Sequence, residues 1–165
     1  MRETSRGTDR AVSVTVGYVL TLAISALLLS GLFVAGGSFV ETQRERAAQG
    51  ELTVVGERIA ADIGTVDRVA ASASSPENLT VERTLTLPDR AAGTAYRIRV
   101  SAADTEGTGT IALETDRTDA AVEVPFRPSE GVAVETATVR GGDLRIRWDP
   151  DGGDDGEGAV VVSER

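Results

Sequence analysis

The chain carries at residues 11–40 the run AVSVTVGYVLTLAISALLLSGLFVAGGSFV, which contains no charged side chain. An α-helix needs roughly 20 apolar residues to cross the hydrocarbon core of a bilayer, and this run is longer. A cleavable secretory signal has an apolar region of only about 7 to 15 residues. The run therefore predicts a transmembrane helix over residues 12–40 that is kept on the mature protein.

The charges on either side of the run predict its orientation. Arg2, Arg6 and Arg10 precede it against two carboxylates, whereas the segment just after it mixes arginines and glutamates evenly. Cytoplasmic flanks carry the excess of positive side chains. We therefore expect a single-pass protein of the cell membrane, with residues 1–11 as a cytoplasmic leader and the C-terminal domain outside the cell.

Beyond the apolar run, a second helical pattern predicts an amphipathic extension of the same helix over residues 41–71. Apolar residues recur there at steps of three and four, which is the spacing of one helix face. Two partners for this face stay open, namely the sheet of the same chain and a neighbouring subunit. Residues 72–78 then read as a linker, because Pro76 follows a run of serines. The residues of the apolar face are Leu52, Val55, Ile59, Ile63, Val66 and Ala70.

From residue 79 the apolar period changes to two, which indicates strands. We expect about seven of them, separated by glycine and proline breakers that include Pro125, and one of them covers Val132 to Val139. The predicted fold is α+β, a long N-terminal helix followed by an antiparallel β head over residues 79–165, built as a sandwich or a curled sheet.

The composition excludes several functions. The formal charge is -9, with 26 acidic residues against 17 basic ones, so we expect no nucleic acid partner. Histidine and cysteine are both absent, which removes thiolate nucleophiles, disulfides and the commonest general base. We therefore expect neither an enzyme nor a cofactor.

All the basic residues are arginines, since the chain has no lysine. An acidic, lysine-free surface is typical of a halophilic protein, because molar salt shortens the Debye length to about 3 Å and screens the self-repulsion of the carboxylates. A GC-rich genome that favours arginine codons is the alternative explanation.

The segment Asp9-Arg10-Ala11-Val12-Ser13 is followed by Gly17 and the apolar run. This N-terminus resembles the leader of haloarchaeal type IV pilins and pilin-like proteins. It implies that a prepilin peptidase cuts between Ala11 and Val12, so that Arg10, Ala11 and Val12 are the processing residues. It also implies that residues 12–40 pack against other pilin-like subunits in a filament core.

The match departs from the family pattern at two positions. Val14 stands where the family has proline after the serine, and Val16 stands where many bacterial pilins carry a glutamate. An uncleaved signal anchor is the alternative to pilin-like processing.

Two further sites follow from short motifs. Asn78, the only asparagine, opens the glycosylation sequon Asn78-Leu79-Thr80. The glycine-rich segment at residues 149–157 concentrates carboxylates as a calcium loop does, but its spacing fails the EF-hand pattern. A solvated hairpin loop is the better interpretation, and the weak metal candidates there are Asp149, Asp151, Asp154 and Asp155.

Together these features predict a pilin-like structural subunit, minor or accessory, of a type IV pilus-like surface filament or related membrane machine. The alternative is an anchored surface ectodomain that binds a ligand or partner and never polymerises.

Overall fold

The structure is a computed structural model that describes residues 5–102, 107–117, 119–153 and 158–165, with side chains from residue 14 onward. It confirms the predicted architecture of one long N-terminal helix followed by a curled, mainly antiparallel β head. Contacts divide the chain into two compact units, residues Met1–Gln43 and Arg44–Arg165.

The helix, α1, runs over Ser5–Ser72. We expected it to begin near residue 12, but the backbone is already helical at Ser5, since no proline interrupts the segment before the apolar run. Its end at Ser72 agrees with the predicted stop, and a short 3₁₀ turn, Pro76–Asn78, leads into the head.

Within the described residues, the head has nine strands in two sheets. The first sheet has the order β1-β8-β9-β6, and the second has the order β2-β3-β4-β5, with β7 also paired to β3. All the pairs are antiparallel except β6 with β9. The strands are β1 Glu82–Leu85, β2 Arg90–Ala91, β3 Thr94–Ser101, β4 Gly109–Thr115, β5 Ala121–Phe126, β6 Ala133–Val134, β7 Ala137–Arg140, β8 Leu144–Asp149 and β9 Ala159–Glu164.

Two sequence expectations for the strands were wrong. The single strand expected over Val132 to Val139 is two strands in different sheets, because the backbone stays bonded to β9 as far as the N–H of Glu135 and pairs with β3 from Ala137 onward. Pro125, expected to break the chain, lies inside β5. It is tolerated because β5 is an edge strand, where a missing N–H costs no ladder hydrogen bond.

The inner faces of both sheets and one face of α1 form a single core within residues 44–165. Alternation places Tyr96, Ile98 and Val100 of β3 inside, while the residues between them are exposed. The helix residues Leu52, Ile59 and Val66 are fully buried in this core. The chain's own sheet therefore covers the amphipathic face of the helix, and no neighbouring subunit is needed for that.

Candidate functional site: an exposed apolar helix and its β head

The most unusual surface of the first unit is the apolar part of α1. The described side chains of residues 14–40 are all exposed, and the large apolar ones range from 48% exposed at Val40 to 79% at Phe33. Soluble proteins rarely expose contiguous apolar patches of more than a few hundred Å². Among the described residues this is the one helix long and apolar enough to span a membrane.

The hydroxyl side chains of this segment are satisfied by the helix itself. Thr21 Oγ1 donates to the carbonyl oxygen of Gly17 at 2.9 Å, and Ser30 Oγ donates to that of Ala26 at 2.8 Å. Ser38 and Thr42 bond backward along the helix in the same way. Such bonds matter because a polar group without a partner is costly in hydrocarbon. These hydroxyls therefore do not prevent the helix from lying in lipid.

The predicted processing residues Arg10, Ala11 and Val12 lie on the backbone of α1, and their side chains fall outside the part that the structure describes. Their role stays a prediction.

In the second unit, polar contacts hold the helix against the sheet at several positions along the helix. Arg83 of β1 donates to Asp62 Oδ1 from Nη2 at 2.8 Å and from Nε at 3.1 Å. The backbone N–H of Ala92 donates to Glu51 Oε2 at 2.6 Å. These contacts set the register of the helix across the sheet, which apolar packing alone specifies less strictly.

Asp67 is the contact that sequence reasoning missed. Its side chain is only 3% exposed, and it accepts hydrogen bonds from Ser129 through the backbone N–H at 2.9 Å and the hydroxyl at 2.7 Å. The carboxylate thereby ties the loop after β5 to the helix. In the sequence, Asp67 looks like any charged residue on the solvent-facing side of a helix. The one sequence feature that indicates its burial is its position directly after Val66, a residue of the apolar face.

Two glycines allow neighbouring parts of the head to pack closely, because a side chain at either position would collide with the residues opposite it. A Cβ added at Gly56 would lie 2.7 Å from Val124 Cγ2 and 2.9 Å from Leu113 Cδ1, so only glycine allows the helix to lie this near to β4 and β5. Just after β7, Gly141 passes beside the ring of Tyr96 in β3, where a Cβ would lie 2.5 Å from two ring carbons.

Tyr96 lines a polar groove of about 610 Å³ on the second sheet, together with Asp89, Arg97 and Arg140. Its hydroxyl donates to the carbonyl oxygen of Pro88 at 2.7 Å. Burial, with a smaller contribution from the negative charge of Asp89, raises the pKa of Tyr96 to about 12. The hydroxyl is therefore a structural hydrogen-bond donor, and it is neutral at any physiological pH.

A second groove, of about 640 Å³, lies in the head unit between residues 46–58 of α1 and the segment after β1. Its helix side is formed by Ala47, Gly50 and Val54, and Val54 is 65% exposed. Leu87 and Pro88 form the opposite wall. The lining surface is largely apolar, and its charged residues are Arg46, Glu51 and Arg58. Sequence reasoning did not find this groove.

The sequon residue Asn78 ends the 3₁₀ turn, and both its side chain and that of Thr80 are exposed. This is the accessibility that a glycosylated asparagine requires. Occupancy stays a prediction.

The acidic segment holds no metal-binding cluster among the described residues. Asp149 is already engaged, because its Oδ2 lies 2.7 Å from Arg147 Nη2 and its Oδ1 accepts from the N–H of Asp151 at 3.3 Å. Asp151 is exposed. Asp154 and Asp155 lie outside the described residues.

By fold and surface this is a β-domain protein with a long N-terminal helix, whose first part is apolar, exposed and long enough to span a membrane and whose second part is covered by its own sheet. The chain belongs to the family of unknown function DUF7266, whose pattern matches residues 7–161. No curated protein and no solved structure matches the chain.

Proposed function

We propose that this chain is a pilin-like structural subunit, minor or accessory, of a type IV pilus-like filament or related membrane machine of a halophilic archaeal cell surface. The observation that carries the proposal is the exposed apolar part of α1. A helix that is apolar on all sides is stable only in lipid or among similar helices. Such a helix supports both states of a pilin, stored in the membrane and assembled in a filament.

The sequence around the start of the helix supports the same proposal. Cleavage after Ala11 by a prepilin peptidase leaves the apolar helix on the mature chain, in contrast to secretory processing. The head, which stays outside the cell, is acidic and suited to high salt.

The direct test is the mass and N-terminal sequence of the mature protein in its native membranes. We expect the chain to begin at Val12, and the variants Arg10→Ser and Ala11→Asp to accumulate uncut. Arg6→Ser is the matched control, because it removes an arginine of the same leader away from the cut. A mature chain that begins at Met1 or Arg2 contradicts pilin-like processing.

The orientation is tested separately. The chain has no cysteine, so a single Thr84→Cys variant on the exposed face of β1 carries the only thiol. We expect a membrane-impermeant maleimide to label it in intact cells. Labelling only after lysis contradicts an extracellular head.

The alternative function is an anchored ectodomain that does not polymerise. It is favoured by the head core, which buries the amphipathic face of α1 without a second subunit. Cysteine pairs placed within residues 14–40 separate the two functions. A filament subunit gives ladders of cross-linked chains, whereas a solitary ectodomain gives none.

A further inference from the structure

The turn between β2 and β3 is strained at Ala92. Ala91 pairs with Thr94, so Ala92 and Gly93 alone form a two-residue turn. Both turn residues have a positive φ, 45° at Ala92 and 81° at Gly93, and within the described residues Ala92 is the one non-glycine residue with this conformation. Two-residue hairpin turns of this kind favour asparagine, aspartate or glycine at the first position. Alanine is disfavoured there, because its Cβ lies too close to the following carbonyl oxygen.

A carboxylate of the helix opposes this strain. The N–H of Ala92 donates to Glu51 Oε2 at 2.6 Å, between residues that are 41 positions apart in the chain. The turn's own hydrogen bond joins the residues on either side of it and leaves the N–H of the first turn residue available. Because Glu51 accepts from the strained residue itself, it stabilises the positive φ and holds the turn against α1.

Residues 89–93, which we call the β2 flap, form a short segment between two fixed points. On one side, Tyr96 Oη donates to the carbonyl oxygen of Pro88 at 2.7 Å, and on the other side Thr94 begins β3. Between these points, β2 is only two residues long and lies at the edge of its sheet. One small side chain of the flap, that of Ala91, is fully buried. Such a segment can open locally, since little apolar burial and little pairing are lost.

We propose that the β2 flap is a conformational switch, which opens by itself while both sheets stay folded. Strain at Ala92 favours the open state, and the hydrogen bond from Ala92 to Glu51 favours the closed state. Opening exposes Ala91 to solvent and releases the Glu51 carboxylate. This inference goes beyond the proposed function, because it concerns the head alone and requires neither leader cleavage nor filament assembly.

The first test measures how fast a buried thiol in the flap reacts with a monofunctional maleimide in the full-length chain in detergent. The chain has no cysteine, so Ala91→Cys carries the only thiol. Ala159→Cys is the matched control, since Ala159 is an equally small and buried residue of β9, which is paired on both sides. We expect the thiol of Ala91→Cys to react at least about tenfold faster, because it needs only local opening.

Low concentrations of denaturant distinguish local from global opening. Local opening exposes little surface, so the reaction of Ala91→Cys should hardly respond, whereas that of Ala159→Cys should accelerate steeply. Equal rates at the two positions, or equal acceleration by denaturant, would overturn the proposal.

The second test changes the two opposing contributions in the Ala91→Cys background. Glu51→Ala removes the acceptor, and we expect the thiol to react about threefold to tenfold faster. Glu57→Ala is the matched control, because it removes another exposed glutamate of the same helix, and we expect no change. Ala92→Gly relieves the strain, and we expect a reaction about twofold to fivefold slower. An unchanged rate in Glu51→Ala, or a faster one in Ala92→Gly, shows that the switch is not built as described.

Amide hydrogen exchange, followed by mass spectrometry, repeats the test without an introduced thiol. Glu51→Ala should accelerate exchange in a peptide that contains residues 89–93 and leave exchange in β8 unchanged, since β8 lies inside the first sheet. Equal acceleration in both peptides means that the flap opens only together with the whole head. No acceleration in either peptide means that Glu51 does not hold the flap closed. Either result contradicts the proposal.

Discussion

Replacing Gly56 with alanine tests the close approach of helix and sheet, on which the head depends. The added Cβ would lie 2.7 Å from Val124 Cγ2 and 2.9 Å from Leu113 Cδ1. Ordinary carbon–carbon contacts are about 3.5 to 4.0 Å, so both contacts are too short by about 0.6 to 1.3 Å. Leu113 is fully buried, and it cannot move without displacing its own neighbours.

The expected magnitude follows from two opposing contributions. Overpacking a closed core costs about 1 to 3 kcal/mol. Alanine in place of glycine inside a helix returns about 0.8 to 1.0 kcal/mol. We therefore expect Gly56→Ala to lower the free energy of unfolding by about 1 kcal/mol, within a range of about 0 to 2 kcal/mol.

Gly64→Ala is the matched control on the same helix. Its Cβ would meet only Arg68 Nη1, at 3.2 Å, and that atom lies at the far end of an exposed, flexible side chain, held only by a hydrogen bond of 3.3 Å from Nη2 to Thr65 Oγ1. The higher helix propensity of alanine is therefore not offset by a collision, and we expect Gly64→Ala to raise the free energy of unfolding by up to about 1 kcal/mol.

The assay is thermal unfolding of the full-length chain in detergent, followed by circular dichroism. For a domain of this size, 1 kcal/mol shifts the melting temperature by about 3 to 6 °C. The two variants should therefore move in opposite directions. If Gly56→Ala raises the melting temperature as much as Gly64→Ala, the helix does not lie against β4 and β5 as described.

Three further predictions use the same assay or simple mass measurement. Asp67→Ala should destabilise the head by about 1 to 3 kcal/mol, because it removes both hydrogen bonds to Ser129 and leaves a partly buried N–H without its acceptor; an unchanged melting temperature contradicts this. Tyr96, with its pKa raised to about 12, stabilises the fold fully below about pH 10 and progressively less as the pH rises toward 12. Tyr96→Phe should therefore flatten this alkaline loss, and a pH profile identical to that of the parent chain refutes the assignment. Asn78→Gln should reduce the mass of the native protein by that of one glycan, and equal glycan content in both forms rules out modification at this position.

The periodic segments were predictable because their patterns are local. The amphipathic stripe from Leu52 to Ala70 reads as one helix face in the sequence, and six of its six residues are buried in the structure. The alternation in β3 and β8 likewise predicted which side chains point inward. In each case the burial of neighbours along the chain follows from the geometry of the element itself.

Strand boundaries and partners were less predictable, because they depend on pairing between distant residues. The segment Val132 to Val139 has one apolar pattern but two partners, β9 for its first part and β3 for its second. Pro125 reads as a breaker until its strand is known to lie at an edge. Sheet order is not encoded in any local spacing.

The candidate functional residues divide in the same way. Arg10, Ala11, Val12 and Asn78 were predicted from motifs that are continuous in sequence. The groove beside Val54 and the bond between Asp67 and Ser129 were not, since each joins residues that are far apart in the chain.

By itself, the sequence determined that one helix begins apolar and continues amphipathic, and that a β head follows. The reason is that the spacing of apolar residues and the length of each apolar run are local properties, which can be read from neighbouring residues. Only the tertiary structure decided that this chain's own sheet, and not a neighbour, covers the stripe at Leu52 and Ile59. An apolar face requires burial without specifying the surface that buries it, and that choice is made by long-range contacts such as Gly56 against Val124.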